Sequence, residues 1–333
     1  MKKLIILLLP LFLLGGTTYA VSPTPVNCKV DDMVCYNKFI TNYVSKNDVP
    51  KVLSTFENIA KTTNGLNGQC NNYGRLIGEL VYKKYKAKAL QFHASTCGKS
   101  FAYGLLATLG KDLGKASLEP ALEYCAKDDN LNACAYGVGS AMAQAKISAV
   151  EIDALCKKSY KLNTTISYED SSQGICVLGW VSAMSDLSKP DQFKSIKSSL
   201  TLCKGMSAQA LDACKGEASF TYTYRDNPTS EVRLSRVNEL AKNCTSSSEI
   251  CARFVGKALN DYLLYSWKPD LNKAENVTTL SKLITKLCSS KASESCLKGF
   301  LNANSGHTTH ESSVKICSYL TGALKNNCLK IVG

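Results

Sequence analysis

The chain has 333 residues, 45% of them hydrophobic, enough to bury a sizeable core. Its net charge is +13, yet only five of the forty basic residues are arginine, which argues against bidentate reading of phosphates or bases and leaves diffuse attraction to anions or a solubilising lysine surface. Sixteen cysteines without a single Cys-x-x-Cys exclude a thioredoxin-type dithiol and covalent haem.

Residues 1–20, "MKKLIILLLPLFLLGGTTYA", join Lys2 and Lys3 to an apolar run from Leu4 to Leu14 and end in Thr18-Tyr19-Ala20. That is the layout of a secretory signal peptide, cleaved near Ala20. The expected location is therefore periplasmic or secreted, where an even number of cysteines reads as disulfides. An N-terminal helical region is expected over 21–116, continuous with helical-hairpin repeats over 117–333.

The helices announce themselves by their starts and their spacing. "DDMVCYNKFITNYV" and "SEICARFVGKALNDYLLY" carry apolar residues three and four apart. "NDVPKVLSTFENIA", "KASLEPALEYC", "SKPDQFKSIKSSL" and "DNPTSEVRLSRVNELAKNC" place Asn, Asp or Ser and an early proline before an amphipathic run. "ASFTYTYR" is the best strand candidate, but it continues a helical run from Ser207. The chain reads as all-α.

It also repeats. Cys-x-x-Gly-x-x-x-Ala occurs at Cys134-Gly137-Ala141, Cys176-Gly179-Ala183 and Cys296-Gly299-Ala303, with looser copies at Cys70, Cys97, Cys214 and Cys251. Starts at 134, 176, 214, 251 and 296 are 42, 38, 37 and 45 residues apart, the period of two-helix repeats. A helix ending in cysteine precedes each start: "ALEYC", "IDALC", "SLTLC", "LAKNC" and "ITKLC". Each unit thus reads as a first helix, a cysteine, a short turn, a cysteine and a second helix, with the small face Cys134, Gly137, Ala141 expected to receive the first helix of its own unit. A tight αα-turn brings two Cα atoms to bridging distance. The predicted pairs are Cys28–Cys35, Cys70–Cys97, Cys125–Cys134, Cys156–Cys176, Cys203–Cys214, Cys244–Cys251, Cys288–Cys296 and Cys317–Cys328. The architecture expected is a stack of disulfide-clipped αα-hairpins forming an irregular solenoid, with groove-lining side chains mainly from the first helix of each unit.

"ALEYCAKDDNLNACAYGVGSAMA" and "LITKLCSSKASESCLKGFLNA" resemble Sel1-like repeats, relatives of the tetratricopeptide repeat, in their cysteine-rich exported branch. The likeness covers about residues 117–304. It implies a binding scaffold, and that branch's link to cell-wall ligands keeps a cell-wall-directed hydrolase as an alternative. Upstream, "CNNYGRLIGELVYKKY" and "CGKSFAYGLL" resemble an exported helical family with Cys-His-x-x-x-His-x-x-Gly and a later His-Gly. Asn71, Arg75 and Tyr103 stand at those histidine positions here, so the resemblance implies that histidine chemistry has been replaced.

Few constellations carry chemistry. His307, His310 and Glu311 in "GHTTHES" are the metal candidates, weighed against a polar inter-helix loop, and the HExxH order of a metalloprotease is missing. "YGVGSAM" lacks the strand and third glycine of a phosphate loop. His93 near Ser95 carries no geometric information. "VYKKYKAKAL" gathers Lys83, Lys84, Lys86 and Lys88 with Tyr82 and Tyr85, a candidate patch for polyanions or anionic surfaces, weighed against a solvated helix end. The expectation is an exported, non-enzymatic binding or scaffold protein for a protein or peptide partner, without cofactor and without specific nucleic-acid recognition. A polyanion or envelope-surface binder acting through lysines is the second reading.

Overall fold

In the computed structural model the described residues are 28, 32–62, 70–94, 100–128, 131–161, 166, 168–187, 190–226, 228–244, 249–289, 292–303 and 310–333. Residues 1–20, Ser95, Cys97 and His307 lie outside them. The α-helices in chain order are α1 Met33–Lys46, α2 Val49–Thr62, α3 Cys70–Tyr85, α4 Ser100–Leu113, α5 Leu118–Cys125, α6 Leu131–Gln144, α7 Ala149–Ser159 and α8 Ser172–Leu187. Then come α9 Ile196–Leu200, α10 Ala208–Tyr224, α11 Ser230–Asn243, α12 Glu249–Tyr262, α13 Ala274–Cys288, α14 Ser293–Ala303, α15 His310–Ser318 and α16 Gly322–Val332. No strand occurs among the described residues.

Local chemistry sets the helix starts. The Asp32 carboxylate accepts the Cys35 N–H at 2.9 Å and opens α1. Ser148 and Glu151 form a reciprocal capping box at α7: the Ser148 hydroxyl accepts from the Glu151 N–H, and the Glu151 carboxylate accepts from the Ser148 N–H. Lys115 also donates to Glu151 at 2.8 Å. The lysine first, and Ser148 after it, hold the Glu151 carboxyl at about 2 against an ordinary 4.5. A depressed folded pKa means that this contribution is complete above the unfolded value near 4.5 and is lost as pH falls toward 2. Ser148→Ala is expected to cost about 1 kcal/mol in urea unfolding at neutral pH. A loss near zero would show that α7 does not depend on its cap.

Among the described residues seven disulfides join sequence neighbours: Cys28–Cys35, Cys125–Cys134, Cys156–Cys176, Cys203–Cys214, Cys244–Cys251, Cys288–Cys296 and Cys317–Cys328. These are the pairs read from the spacing, with Cα separations between 5.4 and 5.8 Å. Cys70 is also disulfide-bonded, and no free cysteine occurs among the described residues. So many disulfides mark an oxidising, exported environment. No described helix is long and apolar enough to cross a membrane.

The second helices build the centre of the fold. α3, α4, α6, α8, α10, α12, α14 and α16 pack one on the next in chain order, with α1 against α3. This packing passes through residue 116 without a break, because α4 lies on α6. The first helices of the hairpins flank the row and bury one stripe each, such as Val277, Leu280, Ile284 and Leu287 of α13. By contrast, every residue of α6 from Gly137 to Ala143 is buried, and so is every residue of α10 from Gly216 to Thr223. Burial all round, rather than along one stripe, makes "ASFTYTYR" helical: its alternating pattern has no solvent face to match.

The glycines correct one expectation. The small face at Gly137, Gly179 and Gly299 receives the preceding second helix, at Ala102, Tyr136 and Arg253, not the first helix of its own unit. A Cβ on Gly139 of α6 would lie 1.9 Å from the Cys176 carbonyl oxygen of α8, and one on Gly179 of α8 would lie 2.0 Å from the Tyr136 carbonyl oxygen of α6. The same reciprocal contact joins Gly78 with Gly104 across α3 and α4, and Gly256 with Gly299 across α12 and α14. Backbones this close admit no side chain between them. Across the last pair the Asn260 amide donates to the buried Phe300 carbonyl at 2.8 Å.

Candidate functional site

A cleft of about 310 Å³ opens across four helices of the row. α3 lines it with Asn71, Asn72 and Arg75, α4 with Ser100 and Tyr103, α6 with Tyr136, and α8 with Ser182. The close backbones of the glycine contacts bring these side chains together. Arg75 is itself part of the contact, since its carbonyl oxygen lies 1.9 Å from where a Cβ on Gly104 would sit. Asn71, Arg75 and Tyr103, scattered over 33 positions of sequence, meet in this cleft.

The geometry is aromatic and cationic. The Arg75 guanidinium stands 4.6 Å from the centroid of the Tyr103 ring, and the Tyr103 and Tyr136 rings are 5.3 Å apart. An Nη of Arg75 donates to Asp186 of α8 at 3.3 Å. Tyr136 and Ser182 line the cleft together. Burial pushes the Tyr136 phenol well above its ordinary range, and burial likewise raises Tyr103 against the opposing pull of Arg75. Both phenols therefore stay protonated at neutral pH.

Polar groups continue from the cleft along the row. Glu217 of α10 is almost fully buried, accepts from Lys257 at 3.1 Å, and lies within electrostatic reach of Tyr136. The Lys257 ammonium stands 4.1 Å from the Phe220 ring centroid. Arg233 pairs with Asp261 at 3.2 Å, and burial raises the Asp261 carboxyl despite that partner. Arg253 of α12 grips Asp170 with two bonds of 2.6 and 2.8 Å. The second helices supply most of this file, whereas the first helices had been expected to line a groove. The reason is the row itself: its second helices are adjacent, so their side chains meet. Sequence reasoning missed Tyr136, Ser182, Asp186, Glu217 and Lys257 as a group. One signal was visible: Ala-Tyr-Gly recurs at 102–104 and 135–137, and both tyrosines enter the cleft.

The lysine cluster is largely engaged within the fold. Lys83 pairs with Glu79 on its own helix. Lys84 donates to the carbonyls of Val44, Ser45 and Asn47 at 2.8, 3.1 and 3.1 Å, closing the C-terminal end of α1. Lys86 pairs with Asp112 at 3.3 Å, and Lys88 is exposed. Lys84→Met is expected to cost roughly 1 kcal/mol through the uncapped carbonyls of α1. A thermal melt equal to wild type would show that water serves those carbonyls as well. A second cationic cleft, about 430 Å³, lies where Lys282 and Lys286 of α13 meet Tyr319 and Thr321.

His310 and Glu311 are exposed on the first turn of α15, and His307 lies outside the described residues, as does its distance to them. Among the described residues no group of three or more His, Cys, Asp or Glu is placed to hold a metal ion. His93 stacks on Tyr124 at 4.4 Å, with Nδ1 3.5 Å from Asp128.

Fold and cleft together define an all-helical, disulfide-clipped protein with a polar cleft across its central helices. No family model, no curated protein and no solved structure matches the chain.

Proposed function

We propose that the chain is an exported, non-enzymatic binding protein that presents its helical-hairpin surface, in the manner of a Sel1-like scaffold, to a protein or peptide partner. The observation that supports this most is the cleft at Arg75. Four helices contribute to it, and its walls combine aromatic faces, a guanidinium and hydroxyl and amide groups. Such a mixed lining suits a peptide, which offers both apolar and hydrogen-bonding groups. The Asp186 carboxylate that reaches the cleft is paired with Arg75, and the Tyr103 and Tyr136 phenols are kept protonated, which favours binding over hydrolysis. The periplasm or the medium is the proposed location, reached through the 1–20 leader. The polyanion reading has less support, because Lys83, Lys84 and Lys86 have partners inside the fold.

A photo-cross-linking residue at exposed Asn71 tests the reading in envelope and culture-supernatant fractions. Asn326, exposed on α16 at the other end of the helix row, serves as the control position. Adducts with a discrete protein or peptide from position 71 and not from 326 are expected. Equal labelling from both positions sinks the proposal.

A further inference from the structure

We propose that the Arg75 cleft recognises a carboxylate, the C-terminus or an acidic side chain of a peptide. This rests on the peptide-binding reading above and names the group that such a peptide must carry.

Three charged pairs of the helix row give the comparison. Arg253 and Asp170 form two short parallel bonds, and Lys257 holds a Glu217 carboxylate that is only 4% exposed. Those pairs are well made, although Asp170 is itself 46% exposed. Arg75 differs: one Nη reaches one oxygen of Asp186, at 3.3 Å, and the two side chains are 44% and 56% exposed. A pair that wet contributes little to stability and exchanges easily. No other carboxylate contacts this guanidinium among the described residues. The Tyr103 ring lies 4.6 Å from the guanidinium carbon, a cation–π contact that keeps the head at the cleft, where its remaining donors suit a planar, two-oxygen acceptor. Asp186 already shows the chemistry in weak form: a carboxylate carried by a helix 111 residues away touches the same guanidinium.

The surroundings favour an anion as well. The lining residues Asn71, Asn72, Ser100, Tyr103, Tyr136 and Ser182 are uncharged and rich in donors. Asn71 and Asn72 belong to the first turn of α3 and Ser100 to that of α4, where the positive ends of the helix dipoles lie. A volume of about 310 Å³ takes one residue end of a peptide rather than a folded domain. An incoming carboxylate takes the place of Asp186 on Arg75, so Asp186 acts as an internal competitor.

The test uses the full purified chain and three N-acetylated tripeptides followed by NMR titration: trialanine with a free C-terminus, the same peptide amidated, and amidated Ala-Glu-Ala. A carboxylate peptide is expected to bind at least about tenfold more tightly than the neutral amide, the scale of one charge-assisted hydrogen-bonded pair. Binding confined to the free acid assigns the C-terminus, and binding confined to the glutamate peptide assigns an acidic side chain. Arg75→Gln removes the preference, and Asp186→Asn strengthens carboxylate binding several-fold. Because both positions are exposed, the fold is checked by an unchanged melting temperature, and Asp186→Asn still decides if Arg75→Gln is unstable. Equal binding of acid and amide, or a preference that survives Arg75→Gln, overturns the carboxylate inference and leaves peptide binding standing. Failure of all three peptides to bind overturns both.

Discussion

Gly179→Ala is expected to destabilise the protein by about 3 kcal/mol or more, although alanine is the better helix former by about 1 kcal/mol. The new methyl would lie 2.0 Å from the Tyr136 carbonyl oxygen, and the obstacle is backbone. No rotamer change relieves it, so α6 and α8 must separate and expose Val138, Trp180 and their neighbours. Gly137→Ala is the internal comparison. Its methyl would meet the Leu106 Cδ1 atom at 2.8 Å, the far end of a flexible side chain, and the Ala102 carbonyl only at 3.3 Å. Its cost is expected near 1 kcal/mol. Urea denaturation of both variants checks the order. Equal costs would mean that the tight approach of α6 and α8 is not a constraint on the fold.

Removing the Cys156–Cys176 bridge by the double alanine variant is expected to cost about 3 kcal/mol, the chain-entropy figure for a loop of about twenty residues. The separation is 20 residues, the longest among the described bridges, and both cysteines are fully buried. In a chain of this size that corresponds to a fall of roughly 5–10 °C in melting temperature. Reduction of every bridge is expected to lower the melting temperature further, while the far-ultraviolet helical signal survives in part at low temperature. The continuous apolar core, not the sulfur, carries the packing between helices. A reduced protein that melts with the oxidised one would show that the clips are not stabilising. Complete loss of helix at low temperature would show that the core alone does not hold the helices.

Much of the local structure was legible in short windows. Asp32, Asp48, Ser148 and Thr229 open helices because a side-chain oxygen within three residues meets an orphan N–H, a purely local event. The cysteine pairs were legible for a related reason. A helix end, a short turn and a helix start place two Cα atoms near each other whatever the rest of the chain does. The lysine cluster at 83–88 was not legible in its role. Nothing near it in sequence shows that the end of α1, some 40 residues earlier, comes within reach of Lys84.

The cleft shows the division most clearly. Sequence reasoning identified Arg75 and Tyr103 only as residues standing where a resembling family has histidines, and it left Ser182 and Asp186 unremarked. A repeat of small residues says that something packs closely, but it does not say against what. An i, i+3, i+7 stripe marks one face of a helix without naming the helix that fills it. The sequence by itself determined helicity, caps, the short turns and the hairpin clips, because each depends on interactions spanning a few residues. Only the tertiary structure decided that second helices pack on second helices, since that choice turns on backbone approach between segments some 40 residues apart, Gly139 on Cys176 and Gly179 on Tyr136. The matching approach at Gly78 and Gly104 sets Arg75 against Tyr103, α8 carries Asp186 to it, and together they create the cleft.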